Sequence, residues 1–271
     1  MIKTRPFLKW AGNKYSCLDN LLTAFPQQAP RLIEPFAGSA AVFLNTDYPH
    51  YLLAEQNRDL IFLYRYLQTE GSKFITYCRR WFVEKNNTPE AYYHWREEFN
   101  RLRASRKKAA IFLYLNRHGY NGLCRYNTSG GYNVPFGRYP KPYFPQHEMM
   151  VFHQKSQRIT LTQGDFRKTF LLANKGDLIY CDPPYAPLKQ TSNFSAYTGK
   201  KFTDDDQKDL ARCALDAAQR GITVMISNHD TAFTRDQYFE ADITSFQVKR
   251  MINCKTNQRA PVQELLAVFR G

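Results

Sequence analysis

The sequence predicts an α/β fold, a doubly wound and mostly parallel sheet that carries an insertion of helices and a β-hairpin. At both ends of the chain, short apolar segments of strand character alternate with helical segments, which is the pattern of a parallel sheet. Between them lies a long stretch with helical periodicity and no strand signal. We therefore expect a discontinuous sheet domain, residues 1–58 and 145–271, interrupted by a helical domain over residues 59–144.

The first part of the chain predicts one strand–helix–strand unit. Its strands are expected at residues 31–34 and 51–54, each an apolar run. Ser39 is a candidate N-cap for a helix over residues 40–45 between them. Such a unit begins a doubly wound sheet, with Glu55 directly after the second strand.

The insertion has a helical part followed by a tyrosine-rich part. Helices are predicted over residues 60–69, 74–82, 89–102 and 107–118. Basic residues are dense near the end of this part, between Arg96 and Lys108. Residues 119–139 then carry tyrosines on both sides of a Gly130-Gly131 pair, which is typical of a β-hairpin.

The α/β pattern resumes in the last third of the chain. Strands are expected over residues 159–162, 178–181, 222–227, 239–250 and 262–269, the last two as an antiparallel pair. A helix is expected from Thr203 to about Gln219, because aspartates in its first turn interact favourably with the helix dipole. Gly221 is the expected end of that helix.

The chain is strongly basic, with 38 Lys and Arg against 24 Asp and Glu and a formal net charge of +14. That balance favours a polyanionic partner, with nucleic acid as the first candidate, although an anionic membrane surface would attract the same charge. No apolar stretch has the length of a membrane span, and the start has no signal-peptide pattern, so we expect a cytoplasmic protein.

The six cysteines are scattered and form no close pair of the Cys-x-x-Cys kind. This spacing favours reduced, mostly buried thiols over a disulfide framework or a structural zinc. We accordingly expect no metal. Nothing in the sequence points to an obligate protein partner, so a monomer is expected.

One tetrapeptide follows the predicted strand over residues 178–181, namely Asp182-Pro183-Pro184-Tyr185. Two prolines fix φ and remove two backbone donors, which leaves a stiff segment with carbonyl acceptors. A carboxylate and a carbonyl can accept hydrogen bonds from an amine while an aromatic ring stacks on a planar group. A plain proline turn remains an alternative, but the residue types favour a site for an amino-bearing planar molecule.

A second candidate site lies in the turn from Glu34 to Ala40, at the carboxyl edge of the predicted sheet, where open α/β sheets bind ligands. Gly38 would let the backbone approach a ligand closely. Glu55, at the end of the next strand, suits a carboxylate that accepts hydrogen bonds from ribose hydroxyls. An ordinary βα turn explains Gly38 equally well by itself, whereas its combination with Glu55 and Asp182 favours a nucleoside cofactor.

These motifs carry a resemblance to a known family. Asp-Pro-Pro-Tyr resembles the catalytic motif of S-adenosylmethionine (AdoMet)-dependent methyltransferases that act on adenine N6. Two further segments are similar to the AdoMet-binding motifs of the DNA adenine methyltransferase (Dam) family, Phe7-Leu8-Lys9-Trp10-Ala11-Gly12-x-Lys14 and Glu34-Pro35-Phe36-x-Gly38. The resemblance implies an AdoMet-dependent methyltransferase sheet, methyl transfer to adenine N6 in double-stranded DNA, and a bacterial or phage-infected cell as the setting.

The resemblance also implies roles at the sheet edge. The catalytic residues would be Asp182, Pro183, Pro184 and Tyr185. The cofactor would be bound by Trp10, Lys14, Glu34, Phe36, Gly38, Glu55, Asp165, Phe166 and Asp182. Asp182 would thus lie between the methionine end of AdoMet and the target amine.

Residues 116–127 and 133–139 resemble the family's DNA-recognition hairpin. The DNA contacts implied are Lys9, Arg96, Tyr120, Asn121, Leu123, Arg125, Arg138 and Tyr139. Tyr120 would fill the space left by a flipped adenine, since a base inside a duplex cannot reach such a pocket. Leu123 and Arg125 would read base edges, with the Arg125 fork on a guanine. With these residues the family's usual target is GATC.

Two positions depart from the family pattern. Asn13 stands where the family commonly has Gly, and Glu55 stands where it commonly has Asp. Because Glu is one methylene longer, we expect a shifted ribose contact at Glu55.

Three other functions compete with DNA adenine methylation. An RNA or protein amino-methyltransferase would share the cofactor and catalytic motifs but lacks the recognition hairpin. A catalytically silent DNA-binding protein would keep the basic charge, and the intact Asp182–Tyr185 segment argues against it. A Ser/His/Asp hydrolase built around His229 lacks a Gly-x-Ser-x-Gly pattern.

Overall fold

The computed structural model describes residues 3–186, 202–248 and 262–271. Within these ranges the strands are β1 (Arg31–Glu34), β2 (His50–Glu55), β3 (Ile159–Gln163), β4 (Leu178–Cys181), β5 (Thr223–His229), β6 (Asp242–Val248) and β7 (Val262–Phe269). The helices are α1 (Leu18–Leu22), α2 (Ala41–Asn45), α3 (Arg58–Glu70), α4 (Ser72–Arg79), α5 (Pro89–Arg101), α6 (Arg106–His118), α7 (Gln146–Lys155), α8 (Phe166–Phe170), α9 (Asp204–Gln219) and α10 (Ala232–Gln237).

The seven strands form one sheet in the order β3-β2-β1-β4-β5-β7-β6. The pairs from β3 to β5 are parallel, and β7 runs antiparallel to both β5 and β6. The strand order reverses between β1 and β4, which creates the crevice where open α/β sheets bind ligands. The predicted fold class, a doubly wound and mostly parallel sheet, is confirmed.

Two apolar layers cover the sheet. One face packs with the inserted helices in a single cluster that includes Phe7, Tyr64, Phe112 and Phe152. The other face packs against α8 and α9. The helices α3 to α6 therefore share one close-packed core with this face of the sheet.

Side-chain caps set the starts of the long helices. Asn57 accepts hydrogen bonds at the start of α3, and Ser105 does so at the start of α6. Thr203 and Asp206 form a reciprocal capping box at α9, so the predicted start of that helix is confirmed. Thr88 caps α5, whose first residue is Pro89.

The N-cap of α2 was predicted wrongly. Ala40 occupies this position in the left-handed conformation, with φ of 60°, and its backbone N–H donates to the Ala37 carbonyl at 2.7 Å. Ser39 makes no capping hydrogen bond there. The tight turn, in which Gly38 also has positive φ, moves the helix start one residue further along the chain.

The tyrosine-rich segment, here called the 119–139 loop, differs from the predicted hairpin. Its antiparallel pairing is limited to two isolated bridges, Gly119 with Phe136 and Tyr126 with Tyr132, and it contains no named strand. Asn121, Gly122 and Arg138 have positive φ, which interrupts any regular ladder.

The final antiparallel pair is present, but its first strand begins at Asp242 instead of residue 239. Residues 249 and 250 of that predicted strand, and Cys254, lie outside the described residues. No helix in the described ranges is both long enough and apolar enough to cross a membrane.

Candidate active site

Three acidic residues meet at the carboxyl edge of the sheet because they end neighbouring parallel strands. Glu34 ends β1, Glu55 ends β2 and Asp182 follows β4. The reversal between β1 and β4 places Glu34 and Asp182 on either side of the crevice. Within the described residues, no group of His, Cys, Asp and Glu side chains is arranged to hold a metal.

Asp182 forms a buried ion pair with Lys14. The Lys14 Nζ lies 2.6 Å from Asp182 Oδ1, and the two side chains are 7% and 21% exposed. Burial alone would lower the pKa of Lys14, but the Asp182 and Glu264 carboxylates outweigh it and raise that pKa. Lys14 therefore stays a cation. Burial raises the pKa of Asp182, and the Lys14 ammonium opposes that rise.

Three side chains clamp the segment that follows Asp182. Gln207 Nε2 donates to the Pro184 carbonyl at 2.8 Å, and the Ala186 N–H donates to Asn228 Oδ1 at 3.1 Å. The His229 Nδ1–H donates to the Ala186 carbonyl at 2.7 Å. These bonds come from α9 and the end of β5, so the proline segment has a fixed path across the sheet edge. His229 thus frames the segment.

Tyr185 is held on three sides. Its hydroxyl donates to Glu264 Oε2 at 3.0 Å, and its ring meets the His229 ring edge to face with centroids 4.9 Å apart. The Lys14 Nζ lies 4.7 Å from the ring centroid. Sequence reasoning missed Glu264, whose only signal was its position near the start of the last predicted strand.

The cofactor turn is shaped by Gly38, which has φ of 46°. A Cβ at this position would lie 3.0 Å from the Trp10 Nε1, so a side chain is excluded by the indole as well as by φ. The Tyr64 hydroxyl donates to the Gly38 carbonyl, and the Gly38 N–H donates to Glu55 Oε2 at 3.1 Å. Trp10, Gly38 and Glu55 are therefore brought together.

The extra methylene of Glu55 has a visible consequence. Its second oxygen, Oε1, accepts from the Asn57 N–H at 3.0 Å, so the carboxylate bridges the Gly38 turn and the start of α3. Burial raises the pKa of Glu55, and these backbone donors oppose that effect. At the other departure, Asn13 has φ of −59° and needs no glycine, and its side chain accepts from the Tyr15 N–H.

Glu34 is 3% exposed, and its Oε1 accepts no hydrogen bond from the described residues. Burial raises the pKa of this carboxyl to about 8, while the Phe43 backbone N–H acts in the opposite direction. A buried acid with an open acceptor at the switch point can receive a donor from a ligand.

An aromatic cluster lies on the other side of the cofactor turn. The Phe36 and Phe166 rings are 5.5 Å apart, and Phe202 packs against both. Asp165 caps α8 by accepting from the Arg167 N–H at 2.9 Å, and it also pairs with the Arg167 guanidinium. Phe36 and Phe166 thus lie together beside the turn, whereas Asp165 is engaged by its own helix.

The 119–139 loop lies against Lys9. The Lys9 Nζ sits 3.8 Å from the centre of the Tyr139 ring, and the Tyr139 hydroxyl oxygen accepts from the Asn121 N–H at 2.9 Å. A Cβ at Gly122 would lie 2.1 Å from the Lys9 Cβ, so only glycine permits this approach. Tyr120, at the tip, is 44% exposed.

A buried asparagine that the sequence did not single out joins these pieces. Asn116 is 1% exposed; its Oδ1 accepts from the Lys9 N–H at 3.0 Å, and its Nδ2 donates to the Lys9 carbonyl at 2.7 Å. The same Nδ2 lies 3.3 Å from the Gly122 carbonyl. Asn116 therefore fixes Lys9 to the tip of the loop.

Two arginines are fixed by acceptors within the loop. Arg125 Nε donates to Asn133 Oδ1 at 2.8 Å, and its Nη2 donates to the Asn133 carbonyl at 3.2 Å. Arg96 donates to the Val134 carbonyl at 3.1 Å. Leu123 is half-buried, with its carbonyl accepting from the Tyr132 hydroxyl, and Arg138 is exposed in the left-handed conformation.

The fold and this edge define a class of protein. The sheet is doubly wound with one antiparallel strand, a glycine turn follows β1, and an Asp-Pro-Pro-Tyr segment follows β4. This combination is typical of AdoMet-dependent methyltransferases that modify an amino group.

Comparison with known proteins narrows the class. A family model described as D12 class N6 adenine-specific DNA methyltransferase matches residues 10–252. Relatives named DNA adenine methylase are 48% identical in Vibrio cholerae (99% of this chain, 97% of the relative) and 45% in Escherichia coli K12 (100% and 97%). The Serratia marcescens relative is 46% identical over the whole of both chains. The chain belongs to the D12 class of N6 adenine-specific DNA methyltransferases, and its methyl donor is AdoMet.

Proposed function

We propose that this enzyme methylates the adenine of GATC in double-stranded DNA after flipping that base out of the helix. The observation that carries the proposal is the meeting of the Asp182 carboxylate, the clamped proline segment and the Tyr185 ring at the switch point of the sheet. We further propose that the enzyme acts as a monomer in the cytoplasm of a bacterium or of a phage-infected cell.

The chemical step needs an activated amine. The adenine amine is a poor nucleophile because its lone pair is delocalised into the ring. Hydrogen bonds from the amine to the Asp182 carboxylate and the Pro183 carbonyl would shift the nitrogen toward tetrahedral geometry, so the lone pair points at the methyl group. The Pro184 carbonyl already accepts from Gln207, which supports Pro183 as the acceptor. The N–C bond forms as the S–C bond breaks, and the amine proton leaves by way of Asp182.

The cofactor would lie along the same edge. Trp10 and Gly38 shape the turn, and Glu55 beside it would accept hydrogen bonds from the ribose hydroxyls. Phe36 and Phe166 would offer aromatic faces to the adenine. The Glu34 Oε1, which accepts no hydrogen bond from the described residues, would accept one from the ammonium group at the methionine end of AdoMet. With AdoMet held by these residues, its methyl group would be presented to the amine bound at Asp182.

Recognition would come from the 119–139 loop. Unstacking the target base costs roughly a few kcal/mol, and exposed Tyr120 would offset part of that by filling the gap. Asn133 accepts from the Nε–H and from one Nη2–H of Arg125, and the remaining Nη hydrogens would donate to the O6 and N7 of guanine. Lys9 would contact a second guanine, and Leu123 a neighbouring base. The DNA backbone or adjacent bases would be contacted by Arg96, Asn121, Arg138 and Tyr139.

Labelled AdoMet with two matched duplexes, one containing GATC and one containing GTTC, tests the proposal. We expect label in the GATC duplex only. Equal labelling of both would refute the sequence claim, and no labelling of either would favour a silent DNA-binding protein. A duplex with 2-aminopurine at the target position adds a test of flipping, because its fluorescence rises when the base unstacks.

A further inference from the structure

Glu264 occupies an unusual place in the sheet. Among the described strands that carry site residues, β7 alone runs against the parallel direction, so its first residues lie at the carboxyl edge. Glu264 is the cross-strand partner of His229 on β5, and Tyr185 touches both side chains. The carboxylate thus reaches the reacting edge from a strand that contributes none of the family motifs.

We propose that Glu264 is a positioning residue for the methyl transfer, which fixes Tyr185 against the target base and keeps Asp182 available to the amine. The inference rests on the proposed role of Tyr185. A ring that stacks on a base must keep a fixed orientation, whereas a tyrosine side chain that is held only at its Cβ can rotate. The bond from its hydroxyl to Glu264 Oε2 at 3.0 Å restrains the far end of the side chain.

The hydroxyl bond also has a chemical consequence. A phenol has one proton to donate. The Tyr185 hydroxyl donates to Glu264 Oε2 at 3.0 Å. Asp182 lies near enough to compete for the same proton, and this proximity acts to lower the pKa of Asp182 against the effect of burial. Without Glu264, the hydroxyl would turn to Asp182 and occupy an oxygen that the target amine needs.

Glu264 further supports the charge of Lys14. Its carboxylate and that of Asp182 both favour the Lys14 ammonium, which lies over the Tyr185 ring. Loss of Glu264 would therefore loosen the ring on two sides, while the contacts of Gly38 and Glu55 in the cofactor turn remain unchanged.

A double-mutant cycle tests the proposal. Single-turnover methylation of a GATC duplex at saturating AdoMet is measured for Glu264→Ala, Tyr185→Phe and the double variant, with AdoMet affinity measured separately. We expect each single variant to lose at least about tenfold in rate, the double variant to lose little more than Tyr185→Phe, and AdoMet affinity to stay within about twofold. Glu264→Gln keeps an acceptor oxygen and should restore the rate to within a few-fold of wild type.

Gln263→Ala, on the exposed neighbour in β7, is the matched control and should behave as wild type. Losses that simply multiply in the double variant, or a Glu264→Gln variant as slow as Glu264→Ala, would overturn the proposal. If Glu264→Ala does not fold, Glu264→Met, which fills the space without an acceptor oxygen, takes its place in the cycle, and Glu264→Gln remains the rescue. A wild-type enzyme that leaves GATC unlabelled refutes the proposed function instead, so the two failures are distinguishable.

Discussion

The catalytic edge and the 119–139 loop are built in different ways. At the edge, strand ends in a parallel sheet bring Glu34, Glu55 and Asp182 together, and buried contacts such as the Lys14–Asp182 pair hold them. The loop has only two isolated bridges, and single side chains fix it instead. On the proposed function, sheet register would therefore set the chemistry, whereas local clamps would set the sequence choice. Changes at the edge should reduce the rate on every sequence, and changes in the loop should alter which sequence is chosen.

The largest effect is expected for Asp182→Ala. Removing the carboxylate takes away an acceptor for the amine and leaves buried Lys14 without its partner, so the transfer rate should fall by roughly 10³-fold. Single-turnover assays measure this rate, and DNA binding by fluorescence anisotropy should change by less than about threefold. An equal loss in rate and binding would show that Asp182 supports the fold of the loop as well.

Arg125→Ala should instead relax sequence choice. Losing a bidentate contact to guanine costs about 1–3 kcal/mol of discrimination. The preference for GATC over a sequence changed at that guanine should therefore fall by roughly 5- to 150-fold. Competition between the two duplexes for labelled methyl groups gives this ratio. Lys107→Ala is the matched control, since Lys107 is paired with Glu98 away from the loop, and should weaken binding to all sequences alike.

Asn116→Ala should weaken the junction between Lys9 and the loop. The change leaves the Lys9 carbonyl and N–H without their buried partner, at a cost of about 1–3 kcal/mol in the free energy of unfolding. Urea denaturation measures that cost, and the GATC preference should fall in parallel because Lys9 is released. Asn116→Asp keeps the acceptor for the Lys9 N–H but places a buried carboxylate oxygen against the Lys9 and Gly122 carbonyls, so it should not recover the stability. Unchanged preference in a destabilised Asn116→Ala variant would contradict the positioning role.

Glu55→Asp, which restores the residue common in the family, should have the smallest effect. The shorter side chain cannot bridge the Gly38 and Asn57 backbone donors in the same way, so one hydrogen bond worth about 1 kcal/mol is lost. AdoMet affinity, measured by calorimetry, should weaken by about fivefold with sequence preference unchanged. Tighter binding would mean that the bridge to Asn57 does not help to shape the ribose site.

Sequence reasoning succeeded where local signals determine structure. The apolar runs of β1 and β4, and the Thr203 cap of α9, are readable without knowledge of the rest of the chain. It failed at Ala40, because the left-handed turn there depends on contacts of the Gly38 region with distant residues. It also missed Glu264, since only the pairing of β7 with β5 brings that side chain to Tyr185. Short helices such as α8 and α10 are too brief to show periodicity.

The most direct test of separate catalytic and recognition regions is the ratio of GATC to GTTC binding affinities for Asp182→Asn, measured at one salt concentration in the presence of AdoMet. This variant keeps the size of the side chain and removes its charge. We predict a ratio equal to that of the wild-type enzyme although methyl transfer is lost. A ratio that falls toward one would contradict the account, because sequence choice would then depend on the catalytic edge.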